Sequence, residues 1–200
     1  MSIPLSALQS PILWATIVVT LSFLILLWPK KDSRWRVESS KRLFHKLQKL
    51  NGGEVICYLR KVDCFVFEEL LLTSIARFNP SIQIVRNSRY TGDGGADGAF
   101  ELEGKKFIIQ AKRYEGFVNT ADVLKLSKDV AKFDAVHGLF VHVGKTRNTT
   151  FCKCPPNVTI VSGEQVVAWV KRGKLPMSVY RAMQDDSPGI SQSLRLNESY

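Results

Sequence analysis

A chain of 200 residues holds one ordinary domain and leaves room for an additional segment. Its hydrophobic share of 45% is enough for a packed core, and four cysteines are too sparse for a disulfide-stapled secreted module. With 28 Lys and Arg against 18 Asp and Glu, the formal charge of +10 favours a polyanionic partner, either nucleic acid or an anionic membrane face.

Met1 to Pro29 carries no charged side chain, and Ile12 to Trp28 is almost wholly apolar. As a helix, the latter run is about 26 Å long, near the hydrocarbon thickness of a bilayer. Pro11 fits its first turn, and Trp14 and Trp28 suit the two interfaces. Lys30, Lys31, Arg34 and Arg36 follow at once, which marks a cytoplasmic flank. A cleaved signal peptide carries its positive charge before the apolar run, so a single transmembrane anchor is the expectation for residues 1–29.

A basic juxtamembrane segment, 30–53, comes next. Within it Leu43, Phe44, Leu47 and Leu50 share one helical face, and Lys41, Arg42, Lys46 and Lys49 lie elsewhere. Such a helix either lies near lipid headgroups or packs on the following domain. Asn51-Gly52-Gly53 reads as its stop.

The expected folded domain runs from 54 to 184. Asp63 is a candidate N-cap for a helix reaching about Phe78. Ser81 to Arg86 reads as a strand, and Thr91 to Gly98 as a glycine-rich loop. Ala99 to Leu102 and Lys106 to Lys112 form a hairpin turned at Glu103-Gly104. Val118 to Lys132 has helical periodicity. Gly138 to Val143 and Val158 to Val161 read as strands, Gly163 to Arg172 as a short helix, and 185–200 as a polar tail. This order predicts an α/β fold, a mixed sheet with helices on both faces.

Chemistry concentrates between Thr91 and Gly116. Glycines 92, 94, 95 and 98 let the backbone turn sharply around Asp93 and Asp97. On the return strand, Gln110 and Lys112 point to one face, and the hairpin brings that face back towards Asp97. Asp97 and the Gln110 amide oxygen are hard ligands suited to Mg²⁺ (or Mn²⁺), with the Ala111 carbonyl as a further oxygen. Lys112 then orients a water or stabilises charge on a phosphorane-like transition state, and Glu68 assists as a base or through a water. The set suits phosphodiester hydrolysis.

These residues resemble the Mrr-like branch of the PD-(D/E)xK nuclease superfamily. The likeness rests on Phe67-Glu68, on Gly92-Asp93-Gly94-Gly95-Ala96-Asp97-Gly98, and on Gln110-Ala111-Lys112-Arg113-Tyr114. It is strong from about Phe65 to Gly116, continues loosely to about Val170, and does not cover residues 1–53. It implies a restriction-endonuclease-like fold and a DNA substrate, with Asp97, Gln110, Lys112 and Glu68 at the catalytic positions. Many relatives need paired active sites to cut both strands, which raises a homodimer as a further partner. A bacterial inner-membrane location, with the nuclease domain in the cytoplasm, follows from the family and the flank charge together.

Arg113, Tyr114, Lys145 and Arg147 are candidate DNA contacts. Gly144-Lys145-Thr146 stands where relatives often carry a hydroxyl-rich stretch, and Phe151 to Pro156 has no counterpart. A phosphate-binding P-loop is excluded because Leu139 occupies the required glycine position. His137 and His142 fall on opposite faces of one strand, so structural roles are expected. Free thiols are the simplest reading of Cys57, Cys64, Cys152 and Cys154; a four-thiolate zinc site and an outward-facing, disulfide-bonded domain are the rivals. The rival function is a non-catalytic DNA-binding or tethering module on the same fold.

Overall fold

The computed structural model describes residues 14, 18–20, 31–86 and 96–184. The chain divides into two compact units, Met1–Trp35 and Arg36–Tyr200. In the first, Trp14 and residues 18–20 are helical. The rest of the apolar run Ile12 to Trp28 lies outside the described residues, as do Thr91 to Gly95 of the glycine loop and the tail 185–200. Among the described residues, no helix is long and apolar enough to cross a membrane.

Helix α1 (Lys31–Gln48) carries the basic juxtamembrane sequence. Its Leu43, Phe44 and Leu47 are buried in the same core as the helices that follow. For these three residues the structure realises the packed alternative. The Phe44 ring meets Phe78 at 5.8 Å between centroids, with the Arg77 guanidinium 4.8 Å from the Phe44 ring centre.

The helix expected to stop at Asn51-Gly52-Gly53 does end just before them, at Gln48, but the two glycines also open a new one that was not expected: α2 (Gly52–Leu59). Asn51 explains the difference. Its side chain accepts from Glu54 N at 2.9 Å while Glu54 Oε2 accepts from Asn51 N at 2.8 Å. That reciprocal pair satisfies two donors that a helix start leaves open, and outweighs the low propensity of two glycines. Asp63 caps α3 (Cys64–Phe78) as expected, accepting from Phe65 N at 2.9 Å and Val66 N at 3.2 Å.

Five strands form one sheet in sequence order: β1 (Gln83–Val85), β2 (Gly98–Leu102), β3 (Lys105–Lys112), β4 (His137–His142) and β5 (Val158–Val161). β1, β2 and β3 pair antiparallel, whereas β3, β4 and β5 pair parallel. The β2–β3 turn puts both Glu103 (φ 51) and Gly104 (φ 78) in the left-handed region. Such a turn matches the strand twist and fixes the hairpin register.

The remaining helices are α4 (Thr120–Lys132), α5 (Asn148–Cys152), α6 (Glu164–Arg172) and α7 (Met177–Gln184). Period-two alternation divides the buried residues between two layers. Phe107, Ile109, Ala111, Leu139, Val141 and Val161 join the core built with α1, α2, α3 and α6. Ile108, Phe140, Val158 and Ile160 pack with Val123, Leu126 and Val130 of α4. Gly138 lets α4 approach, because a Cβ there would stand 2.8 Å from Val130. Across the first layer, Trp169 Nε1 donates to Leu71 O at 3.1 Å and Ser74 Oγ to Trp169 O at 2.7 Å, tying α6 to α3.

Burial of α1 generates a stability test. Leu47→Ala removes a fully buried side chain and is expected to cost about 2–5 kcal/mol. Urea unfolding of the full chain in detergent, followed by circular dichroism, measures it. An unchanged midpoint would show that α1 contributes nothing to the domain.

Candidate active site

Asp97 is held by the hairpin itself. Its backbone N–H donates to Ile109 O at 2.7 Å, extending the β2–β3 pairing by one residue. Its Oδ2 accepts from Ala111 N at 2.7 Å and also from the Gln110 amide Nε2. The carboxylate is therefore aimed along β3, at the two residues preceding Lys112.

Gly98, the next residue, makes room for helix α3. A Cβ there would come within 2.9 Å of Leu72 Cδ1 and 3.1 Å of Cδ2. Leu72 lies four residues after Glu68, on the same helical face. Close seating of α3 thus brings Glu68 to the start of β2. The electrostatics record the outcome: the Glu68 carboxyl is pushed up to about 7, first by burial and then by the negative charge of Asp97. Arg36 and Lys112 oppose the shift. Burial also raises Asp97, against the Ala111 N–H and the charges of Lys112 and Lys125. Glu68, Asp97, Gln110 and Lys112 therefore act on one another at one end of the hairpin.

The adjacent carboxylate does a different job. Glu69 is 7% exposed, accepts from Arg86 Nε at 2.9 Å, and accepts from the Thr73 hydroxyl. The structural ion pair that a helix glutamate usually makes falls to Glu69, not Glu68.

The donor set fits a hard divalent cation. Two carboxylates share a partly desolvated place where both resist ionisation, and a bound cation would relieve that cost. Among the described residues no group of three His, Cys, Asp or Glu assembles. Besides the carboxylates, the remaining ligands of a cation there would be the Gln110 and Ala111 oxygens. Gln110 presents its N–H to Asp97; its oxygen is the other end of the same planar amide. All four cysteines are free thiols, and Cys154 Sγ donates to Val158 O at 3.3 Å.

The model of the Mrr-type catalytic domain, described as a restriction endonuclease, matches residues 59–170. That is more than half of the chain, and it encloses the whole constellation. The chain belongs to this restriction endonuclease family. No curated protein and no solved structure matches it. The five-stranded mixed sheet with helices on both faces is the architecture expected of such an endonuclease.

The endonuclease domain places the four candidate DNA contacts unequally. Arg113 Nη1 donates to Arg60 O at 3.2 Å, while Arg60 Nε donates to Val143 O at 2.8 Å. Tyr114 donates to Asp122, and burial followed by that bond pushes its phenol up to about 12. Both are thus engaged within the fold. Lys145 is exposed beyond the end of β4, and Arg147 lies over the Phe117 ring at 4.3 Å. The Gly144–Thr146 segment folds back on its own strand: Gly144 N donates to His142 Nδ1 at 3.2 Å, and Thr146 Oγ1 meets Nε2 at 2.8 Å. Burial holds His142 neutral, down to about 4, and His137 bonds Thr159 at 2.8 Å. Both histidines are structural, as expected.

Sequence reading missed Arg36 as a neighbour of this site. Its guanidinium sits 4.4 Å from the Phe65 ring centre, one turn before Glu68, and its charge acts on Glu68. In sequence it is one of several basic residues after an apolar run. Only the packing of α1 singles it out.

The raised Glu68 pKa sets a pH dependence. A folded value of about 7 against an ordinary 4.5 means that the folded state binds more protons between those values. Its contribution to stability is present at low pH and is lost as pH rises through about 7. In metal-free buffer, Glu68→Gln should therefore raise Tm more at pH 8 than at pH 5. An equal change at both pH values would remove the desolvated carboxylate from the argument.

Proposed function

We propose that this restriction-endonuclease-type protein is a membrane-anchored, metal-dependent deoxyribonuclease. The observation that carries the catalytic reading is the meeting of Glu68 and Asp97, both resisting ionisation, in the field of Lys112. Asp97, the Gln110 amide oxygen and the Ala111 carbonyl would hold Mg²⁺ or Mn²⁺. When bound, the cation supplies polarisation of the scissile phosphate and a water of lowered pKa. Lys112 orients the attacking water and stabilises negative charge on the phosphate oxygens. Glu68, poised near neutrality, accepts the proton that this water loses. Lys145 and Arg147 neutralise backbone phosphates beside the site.

The anchor rests on the uncharged run Met1 to Pro29 and the basic cluster after it. It divides the chain into an anchor (1–29), a basic linker (30–53), the nuclease domain (54–184) and a tail (185–200). In this reading the protein is single-pass in a bacterial inner membrane, with the domain in the cytoplasm; the bacterial origin rests on the family resemblance and the orientation on the basic flank. Double-strand cleavage would recruit a second copy.

One observation favours the rival, a non-catalytic DNA-binding module: the Gln110 N–H, rather than its oxygen, faces Asp97. Cleavage decides between them. The full chain in detergent micelles should nick supercoiled DNA with Mg²⁺ or Mn²⁺ and not with EDTA. Asp97→Asn and Lys112→Ala should each lose about 100-fold or more. DNA binding that survives these changes, without scission in any metal, would establish the rival.

Topology has its own test. Cys152 is exposed on the domain. In intact spheroplasts a membrane-impermeant maleimide should leave it unlabelled, and permeabilised ones should label fully. Labelling without permeabilisation would put the domain outside.

A further inference from the structure

The C-terminal ends of β3 and β4 carry a feature that phosphodiester hydrolysis does not use. Phe117 and Phe151 are 49% and 50% exposed, and both stand on segments that follow those strands. Solvent exposure of two phenyl rings costs hydrophobic free energy, so the support beneath them is informative.

That support is rigid. Phe117 and Lys145 form a parallel bridge that continues the β3–β4 pairing past its end. Lys145 N donates to Gly116 O at 2.8 Å, and Val118 N to Lys145 O at 2.9 Å. Val118 is buried in the α4 layer, which pins the residue after Phe117. The Thr120 and Thr150 hydroxyls meet at 2.8 Å, joining the start of α4 to the α5 turn that carries Phe151. Gly144 permits the close approach of the two segments: a Cβ would stand 2.5 Å from Gly116 O and 2.6 Å from Tyr114 Cβ.

The surface is also basic. Arg147 lies over the Phe117 ring at 4.3 Å. Segments 113–119 and 143–154 contain the exposed cations Lys145, Arg147 and Lys153 against a single carboxylate, Glu115, besides Arg113, which bonds Arg60 O. Phe117 lies only five positions after Lys112. A chain that long spans at most about 17 Å, or roughly five base steps.

Resting on the nuclease reading, we propose that Phe117, backed by Arg147, and Phe151 form a stacking platform for unpaired nucleobases. Its preferred substrate is DNA with unpaired bases within a few nucleotides of the scissile phosphate. A duplex, its base faces buried in the stack, offers no free base face to a phenyl ring, whereas a bubble, gap or flap does. The basic neighbours hold the backbone while the rings receive the bases, the combination that binds single strands. A bare phosphate contact would need the cations alone.

The test compares cleavage by the full chain on a paired duplex and on the same sequence with a central bubble. The bubble should be cut at least tenfold faster. Phe117→Leu and Phe151→Leu should each lower that ratio about fivefold or more, towards one, as loss of one base stack produces. Phe117→Trp, which restores an aromatic face, should keep it. An unchanged ratio in both leucine variants, or equal loss on both substrates, would overturn the platform. Stacking is read separately with Asp97→Asn and a bubble containing 2-aminopurine. Quenching that disappears in Phe117→Leu supports the platform even if no metal yields cleavage, which is the failure that would strike the nuclease reading instead.

Discussion

One carboxylate, bound to one strand, organises the active end of this domain. Asp97 Oδ2 takes the Ala111 N–H and the Gln110 amide, while Asp97 N feeds Ile109 O. These bonds exist in only one hairpin register. A slip of one residue would turn Gln110 and Lys112 to the opposite face and leave Asp97 opposite Ile109 or Ala111. The left-handed pair Glu103 and Gly104 therefore matters at a distance, since it sets the count of residues from turn to site. Gly98 completes the constraint by admitting Leu72, so the helix bearing Glu68 cannot seat elsewhere without opening a gap.

The electrostatic cost of that arrangement has a direction. Burial raises both Asp97 and Glu68, and the charge of Asp97 adds to the burden on Glu68. A fold selected for stability alone would put an apolar residue at 68, as it does at Leu71, Leu72 and Ile75 of the same helix. Glu69 shows what a stabilising carboxylate looks like here, with Arg86 and a hydroxyl satisfying it. Two acids of one helix, adjacent in sequence, thus differ: Glu69 is paired with Arg86, whereas Glu68 is held up by burial and by the charge of Asp97. That contrast is the physical ground for reading Glu68 as part of the catalytic set.

Most of the frame was legible because local rules and tertiary packing agree in it. Asp63 before an apolar run, the Glu103-Gly104 turn and the β-branched run at Val158 each specify one local structure, and the fold uses it. Convergence of Asp97, Gln110 and Lys112 was readable for the same reason, through period-two alternation. Helix α2 was not, since two glycines suggest a stop and only the Asn51–Glu54 exchange reverses them. Helix α5 is too short to show a period. The bonds of Arg113 to Arg60 O and of Tyr114 to Asp122 were not readable, because their partners lie in other elements. Arg36 and Phe117 were illegible because their partners lie in other elements.

The division between linker and domain changes meaning once α1 is in place. The family match begins at residue 59, yet Leu43, Phe44 and Leu47 are buried in the same core as α3 and α6. The same helix delivers Arg36 to Phe65 and into the field of Glu68. A flexible tether would do neither, because each contact requires α1 to hold one rotation and one axial position against α3. Ser40 adds a third point, its hydroxyl meeting Thr73 at 2.9 Å beside Glu69. Three contacts spaced along one helix leave it no freedom to swivel. A segment whose composition reads as a basic linker is therefore a working wall of the nuclease.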